Sequence, residues 1–291
     1  MKPSDREVRR RLLKLGLVTA PLLAMPVWAR VACVPAVTNI LGPAYRKNAP
    51  YRTALCDPDE PGTPLSMTGT ITDAATCKVL HGVLLDVWQV NARGDYDMDT
   101  QSFHLRGRMR TGADGRYRFE SIEPVPYGKR PRHIHFLLTR DGYEPRITQC
   151  YFAGDERNAT DPYVRKELII TPSEHAGARN GSRRLEGRFD IALERERQVD
   201  PKSVGKWTDY EGDYEVAPGV TVSIRRDGQR LLWHLSAAEE PGDPLDGVLH
   251  PRMRDSFFVA EYDKTFRFVR DEHGRVTHTL DDDGSLARKI R

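Results

Sequence analysis

The residues whose types and spacing could do chemistry are two imidazoles and two phenols. His133 and His135 lie in "RPRHIHFLLT", Tyr127 stands six residues before the first of them, and Tyr96 follows Gly94 at the end of "DVWQVNARGDY". In an extended strand alternate side chains share a face, so the two histidines emerge together about 7 Å apart. They can serve one site. Neutral imidazole binds several first-row ions, whereas phenolate oxygen is a hard anionic donor suited to a trivalent cation, so two of each favour Fe(III) over Zn(II). The spacing also fits a surface histidine pair, a Zn(II) or Cu(II) site, and tyrosines that belong to a core or a rim. Among the basic residues of the same stretch, Lys129 and Arg132 read as solvated charges or partners of acids at a rim.

What must position these side chains is a β scaffold. From Met67 onward the chain runs in short alternating stretches, among them "VLLDVWQV", "GRYRFESI", "HIHFLLTR" and "RITQCYF", separated by Gly, Asp and Pro. That is strand periodicity with turn punctuation, and no long helical pattern competes with it. The expectation is an all-β chain with an antiparallel β-sandwich over residues 65–197, preceded by an irregular arm over 30–64. Past a change of character near residue 200, a second small β domain of two hairpin-like units is expected over 205–291. Asp114-Gly115 reads as a hairpin turn. His234, His250, His273 and His278 share no spacing that suggests a site and read as surface or turn positions.

The chain has 291 residues and a net charge of +3, of which +4 lies in residues 1–29, so the remainder is nearly neutral. A neutral body without a recognition motif argues against nucleic acid as a partner. Residues 1–29 join a basic start to an apolar stretch from Leu15 to Ala29 broken by Pro21 and Pro26. That stretch is short for a spanning helix and ends in small residues, as an export signal does. The run Arg9-Arg10-Arg11-Leu12-Leu13-Lys14 resembles the twin-arginine pattern. Export to the periplasm or beyond is therefore expected, with cleavage after Ala29 leaving no stable membrane span; an uncleaved anchor or lipid attachment at Cys33 stay open. The four cysteines, Cys33, Cys56, Cys77 and Cys150, lack C-x-x-C spacing and make a poor zinc site. One or two disulfides suit an oxidising compartment, with pairing unreadable.

The ordered series "GVLLDVWQVNARGDY", "RTGADGRYRFESIEPVPY", "RPRHIHF" and "ITQCYFAGD" resembles the intradiol ring-cleavage dioxygenases of the catechol and protocatechuate type, across about residues 65–195. The resemblance implies a non-haem Fe(III) held by Tyr96, Tyr127, His133 and His135, with Tyr127 the phenolate displaced by substrate. It makes Arg130 the catalytic arginine and Gln149 a residue beside it or near the ring. It further implies a catechol-type substrate opened by O2 between its hydroxylated carbons to a cis,cis-muconate-type diacid. Only "GKRPR" separates Tyr127 from His133, shorter than in familiar members, so the pocket roof must come from elsewhere, such as residues 97–108 or the 30–64 arm. The C-terminal stretch resembles a small β domain appended to serine β-lactamase-like hydrolases. A homo-oligomer is an open expectation. The rival reading is an exported β-sandwich binding module with a non-catalytic metal site.

Overall fold

The computed structural model describes residues 33–291 apart from 43, 177–182, 198, 229, 238–245 and 263, so the expected export signal at 1–29 lies outside the described residues. Up to residue 193 the described strands are β1 (Pro64–Asp73), β2 (Leu84–Trp88), β3 (Arg106–Arg110), β4 (Arg116–Ile122), β5 (His133–Thr139), β6 (Arg146–Phe152), β7 (Ile169–Ile170), β8 (Ser173–Ala176), β9 (Arg183–Arg188) and β10 (Ile191–Leu193). They form two five-stranded sheets. One runs β10-β1-β9-β8 with β4 also on β1, and the other runs β3-β2-β5-β6-β7.

Alternation decides which side chains meet between the sheets. In β5, Ile134, Phe136 and Leu138 are fully buried and join Leu85 and Val87 of β2 in one core with Leu65, Met67 and Ile71 of β1 and Phe119 of β4. The Phe136 ring packs on Tyr117 and Phe119, both at 6.1 Å between centroids, and on Phe189 at 5.4 Å. Truncating such a residue costs about 3–5 kcal/mol. Gly69 is required where β1 passes this cluster, because a Cβ there would lie 2.0 Å from the Phe189 carbonyl oxygen and 2.6 Å from the Tyr117 ring.

Two expectations need correction. The sheets are mixed rather than purely antiparallel, since β1 pairs in parallel with β9 and β10, and β6 with β7. Asp114-Gly115 does form a tight turn, with Gly115 at φ +72°, but it is no hairpin: β3 on one side belongs to one sheet and β4 on the other side pairs with β1 in the other. The chain changes layer there, and alternation within a strand carries no information about which layer the next strand joins.

From residue 33 to β1 the arm is irregular and tied down by backbone bonds. Asn39 N–H donates to the Ile147 carbonyl, Arg52 N–H to that of Arg108 and Leu55 N–H to that of Glu120, each at 2.9 Å. A Cys33–Cys77 disulfide anchors its start, while Cys56 and Cys150 are free thiols.

After two single-turn helices, Pro201–Val204 and Trp207–Tyr210, the chain makes β11 (Gly212–Ala217), β12 (Val220–Asp227), β13 (Arg230–Leu235), β14 (Asp246–Met253), β15 (Ser256–Val259), β16 (Lys264–Arg270), β17 (Val276–Leu280) and β18 (Leu286–Lys289). Each pairs with the next, and β18 returns to β11, closing a barrel. Closure leaves no strand edge exposed to a neighbour. The inward residues, including Leu231, Trp233, Leu249, Phe257 and Phe268, form its own core. Two hairpin-like units thus turn out to be parts of one continuous meander. Phe258 and Ala260 pack with Leu41, Ala44, Trp88 and Ile147 against the outer face of the second sheet. Arg252 pairs with Glu144 beside them, and His250, expected at a surface or in a turn, is largely buried there with Glu196 at 4.0 Å. No helix of the described residues is long and apolar enough to cross a membrane.

Candidate metal centre

The alternation that sends Ile134 and Phe136 into the core sends His133 and His135 to the outer face of the second sheet, beneath the arm. Register completes the row. Trp88 of β2 and Gln149 of β6 stand directly opposite His135, and Tyr151 stands opposite His133, so these side chains share a face. His133 and His135 are each 2% exposed.

Each ring is held differently. His133 Nδ1 lies 2.7 Å from the Pro131 carbonyl oxygen; an N–H donated there leaves Nε2 as a bare lone pair. His135 Nδ1 has no hydrogen-bond partner, and its ring is fixed by stacking on Trp88, with centroids 4.8 Å apart and planes within 9°. Gly42 of the arm covers the same ring, a Cβ there falling 3.3 Å from His135 Cε1.

Onto this pair come the two phenols. Tyr96 Oη is 2.9 Å from His135 Nε2, 3.3 Å from His133 Nε2 and 3.3 Å from Tyr127 Oη, and the two Nε2 atoms are 3.1 Å apart. Tyr96 has one proton to offer three neighbours, and two facing imidazole lone pairs repel. Separations of that size are the edges expected between donors that each lie about 2.1 Å from a common ion. Among the described residues no carboxylate or thiol joins the cluster, and no three His, Cys, Asp or Glu side chains gather to hold an ion. The residues present therefore fit a metal bound by two imidazoles and two phenols. Burial, then the neighbouring Arg130 charge, lowers the His133 pKa to about 4; burial, His133 and Arg130 hold His135 well below its ordinary value. Both rings stay neutral and able to ligate. Burial, then Tyr127, raises the Tyr96 phenol well above 10, against the opposing charges of Arg130 and Arg106.

Arg130 lies beside the cluster in a fixed cage. Its Nε donates to Asp161 Oδ2 at 2.6 Å, and one terminal nitrogen donates to Gln149 Oε1 at 2.6 Å and to the Tyr151 hydroxyl at 3.1 Å. Gln149 is itself aimed by donating to the Ile40 carbonyl of the arm at 3.0 Å. The guanidinium stands 5.0 Å from the Tyr163 ring centroid. All six residues singled out by sequence are thus together. Lys129 is exposed, and Arg132 pairs with Glu123 and Asp155. Both segments expected to supply a roof lie close by, with Arg46 of the arm on Asp97 at 3.3 Å.

Sequence reasoning missed Trp88, Tyr151 and Asp161. The first two have a signal in principle, their positions in alternating runs, but it becomes usable only with the cross-strand register. Asp161 comes from an irregular segment after β6 and has none.

Comparison with known proteins places the chain in a family. A family described as Dioxygenase matches residues 40–195, more than half of the chain. A chlorocatechol 1,2-dioxygenase of Rhodococcus opacus is 34% identical over 45% of this chain and 62% of its own length. A catechol 1,2-dioxygenase of Acinetobacter lwoffii is 32% identical over 46% of this chain and 52% of its own. The chain thus spans between half and two thirds of the length of these relatives. Among solved structures, the dioxygenase domain of a dioxygenase carbohydrate-binding protein fusion from Streptomyces sp. SirexAA-E is 38% identical with a TM-score of 0.50, covering 55% of this chain and 99% of that one. Catechol 1,2-dioxygenase from Pseudomonas arvilla C-1 is 31% identical with a TM-score of 0.51, covering 56% of this chain and 63% of that one.

Proposed function

The chain belongs to this dioxygenase family, and from that premise we propose that it is an intradiol ring-cleavage enzyme acting on a catechol-type aromatic with O2. The observation that carries the reading is the cluster of Tyr96, Tyr127, His133 and His135 with an arginine caged beside it. A binding module would need the cluster but has no use for the cage. Fe(III) bound there would supply the Lewis acidity that lets a catechol bind through both oxygens as its dianion near neutral pH, and the charge transfer that opens the ring to O2.

The chain's own residues do the rest. His133 and His135 present fixed, neutral Nε2 atoms, one oriented by the Pro131 carbonyl and the other by Trp88. Tyr96 is packed with Leu41, Ala44 and Trp88 on the outer face of the second sheet and stays in place. Tyr127 precedes the exposed Gly128 and Lys129, and on the family pattern it would be the phenol that gives way to substrate. Arg130, already desolvated and oriented by Asp161, Gln149 and Tyr151, offers a positive charge where the ring acquires ketone and carbanion character, without reorganising at that moment. The product is then a cis,cis-muconate-type diacid. With residues 1–29 as an export signal, this chemistry takes place outside the cytoplasm.

Mass spectrometry of product formed from catechol under labelled O2 tests the reading. A diacid carrying both oxygen atoms is expected. A ring-opened aldehyde, which marks cleavage outside the two hydroxyls, or no product from a broad panel of catechols, overturns it.

A further inference from the structure

Farther along the same outer face of the second sheet, beyond His135 and Leu137, a cavity of about 1050 Å³ opens between that sheet and the barrel. Its apolar walls include Leu84 and Leu137 on the sheet side and Trp207 and Val248 on the barrel side. Four arginines also line it: Arg110, Arg140, Arg197 and Arg230. Arg110 donates to the Gly82 carbonyl at 2.9 Å. The other three make no ion pair among the described residues. Arg140, the residue after β5, lays its guanidinium 5.3 Å from the Tyr143 ring centroid, and one of its terminal nitrogens is buried with no acceptor at all.

The acids of the cleft do not meet this demand. Asp246 is engaged by Lys47, and Glu196 faces His250 at 4.0 Å. The Glu261 carboxyl is pushed up to about 7, mostly by burial, so only part of its charge is present at neutral pH. Asp141 is exposed. A buried guanidinium N–H without an acceptor is costly, and a charged acceptor answers it better than a neutral one. Arginine also matches the planar fork of a carboxylate, and a flat apolar wall next to it suits an unsaturated body.

We propose that this cleft is a second binding site, separate from the metal centre, for a small carboxylate with a flat unsaturated body, its carboxylate on Arg140 and its body against Leu137 and Trp207. Two sources share that chemistry: an aromatic acid, and the ring-opened diacid, the second of which rests on the function proposed above. Calorimetric titration of the full chain with benzoate and, separately, with cis,cis-muconate distinguishes them. At least one should bind with a Kd below about 1 mM. Arg140→Met should weaken it roughly 10-fold or more, and Arg140→Lys should recover part of the loss, because the charged contact is removed and partly restored. Equal thermal melting of the variants separates lost binding from lost fold. Heat from benzoate identifies an aromatic acid, and heat from muconate alone identifies the diacid. No heat from either up to about 10 mM, or an affinity unchanged in Arg140→Met, overturns the proposal. Failure to turn over catechol would sink the metal-centre reading and leave the benzoate result standing.

Discussion

Asp161→Asn separates a charge that positions Arg130 from one that merely stabilises the fold. The Arg130–Asp161 pair is nearly closed to solvent, with side chains 17% and 1% exposed, so breaking it is not the near-neutral event of a surface pair. Losing one partner of a buried pair costs about 3–5 kcal/mol when the other charge is stranded. Arg130 is not stranded, because Gln149 and Tyr151 still accept from it, and the substituted amide would keep an oxygen for the Tyr163 N–H that Asp161 now receives at 2.8 Å. The expected loss is therefore that of one charge-assisted hydrogen bond, about 2 kcal/mol, read as a shift in the denaturant midpoint. The catalytic effect should be larger in kcat than in KM, with kcat/KM down roughly 10- to 100-fold as the guanidinium drifts from its place. Iron content should not change, because Asp161 touches none of the four donors. In a double-mutant cycle with Arg130→Met, the Asp161 substitution should cost little further rate. Full kcat in a measurably destabilised variant would refute the positioning role, and loss of iron along with activity would show that the cage supports the metal instead.

His133→Ala or His135→Ala should reduce bound iron from one per chain to near zero, whereas Arg130→Ala should keep the iron and lose on the order of 10²-fold or more in rate, as elemental analysis and steady-state kinetics would read. Reducing the Cys33–Cys77 disulfide, which spans a sequence separation of 44, should lower unfolding stability by about 4 kcal/mol on a chain-entropy basis, measured by denaturant titration with and without a thiol. Burial would raise the Asp73 carboxyl, but hydrogen bonds from Tyr143, Thr76 and Arg195 outweigh it and lower its pKa from 3.8 to about 2. A depressed folded pKa contributes stability above the unfolded value and loses it as pH falls through the folded one. Acid titration should therefore show stability lost between about pH 4 and pH 2, and Asp73→Asn should flatten that part of the curve.

The part of the site legible in sequence was the part governed by local periodicity. Alternate positions on a strand put both histidines on one face whatever the fold, and the order of motifs brought in Tyr96, Tyr127, Arg130 and Gln149. Long-range partners were not legible. Asp161 reaches Arg130 across a separation of 31 residues from an irregular segment, and Trp88 reaches His135 through a strand pairing that alternation does not specify. The same limit applies to the fold: strand character was readable from Met67 to the C-terminus, but not the parallel additions of β9 and β10 to β1, nor the return of β18 to β11 that closes the barrel. The pairing of Cys33 with Cys77 depended on where the arm lies, which no spacing encodes. Nor does any local pattern announce four arginines facing a cleft, since Arg110, Arg140, Arg197 and Arg230 come from separate elements.

The visible absorption spectrum of the protein loaded with one Fe(III) per chain tests the central claim most directly, because phenolate bound to ferric iron gives a broad charge-transfer band that Zn(II) and ferric iron held by imidazoles alone do not. The wild type should be red-brown, Tyr96→Phe should lose or strongly shift the band, and anaerobic catechol should change it as Tyr127 leaves. A colourless protein at full iron occupancy, or a spectrum left at its wild-type form in both Tyr96→Phe and Tyr127→Phe, would contradict a centre built on two tyrosines and two histidines.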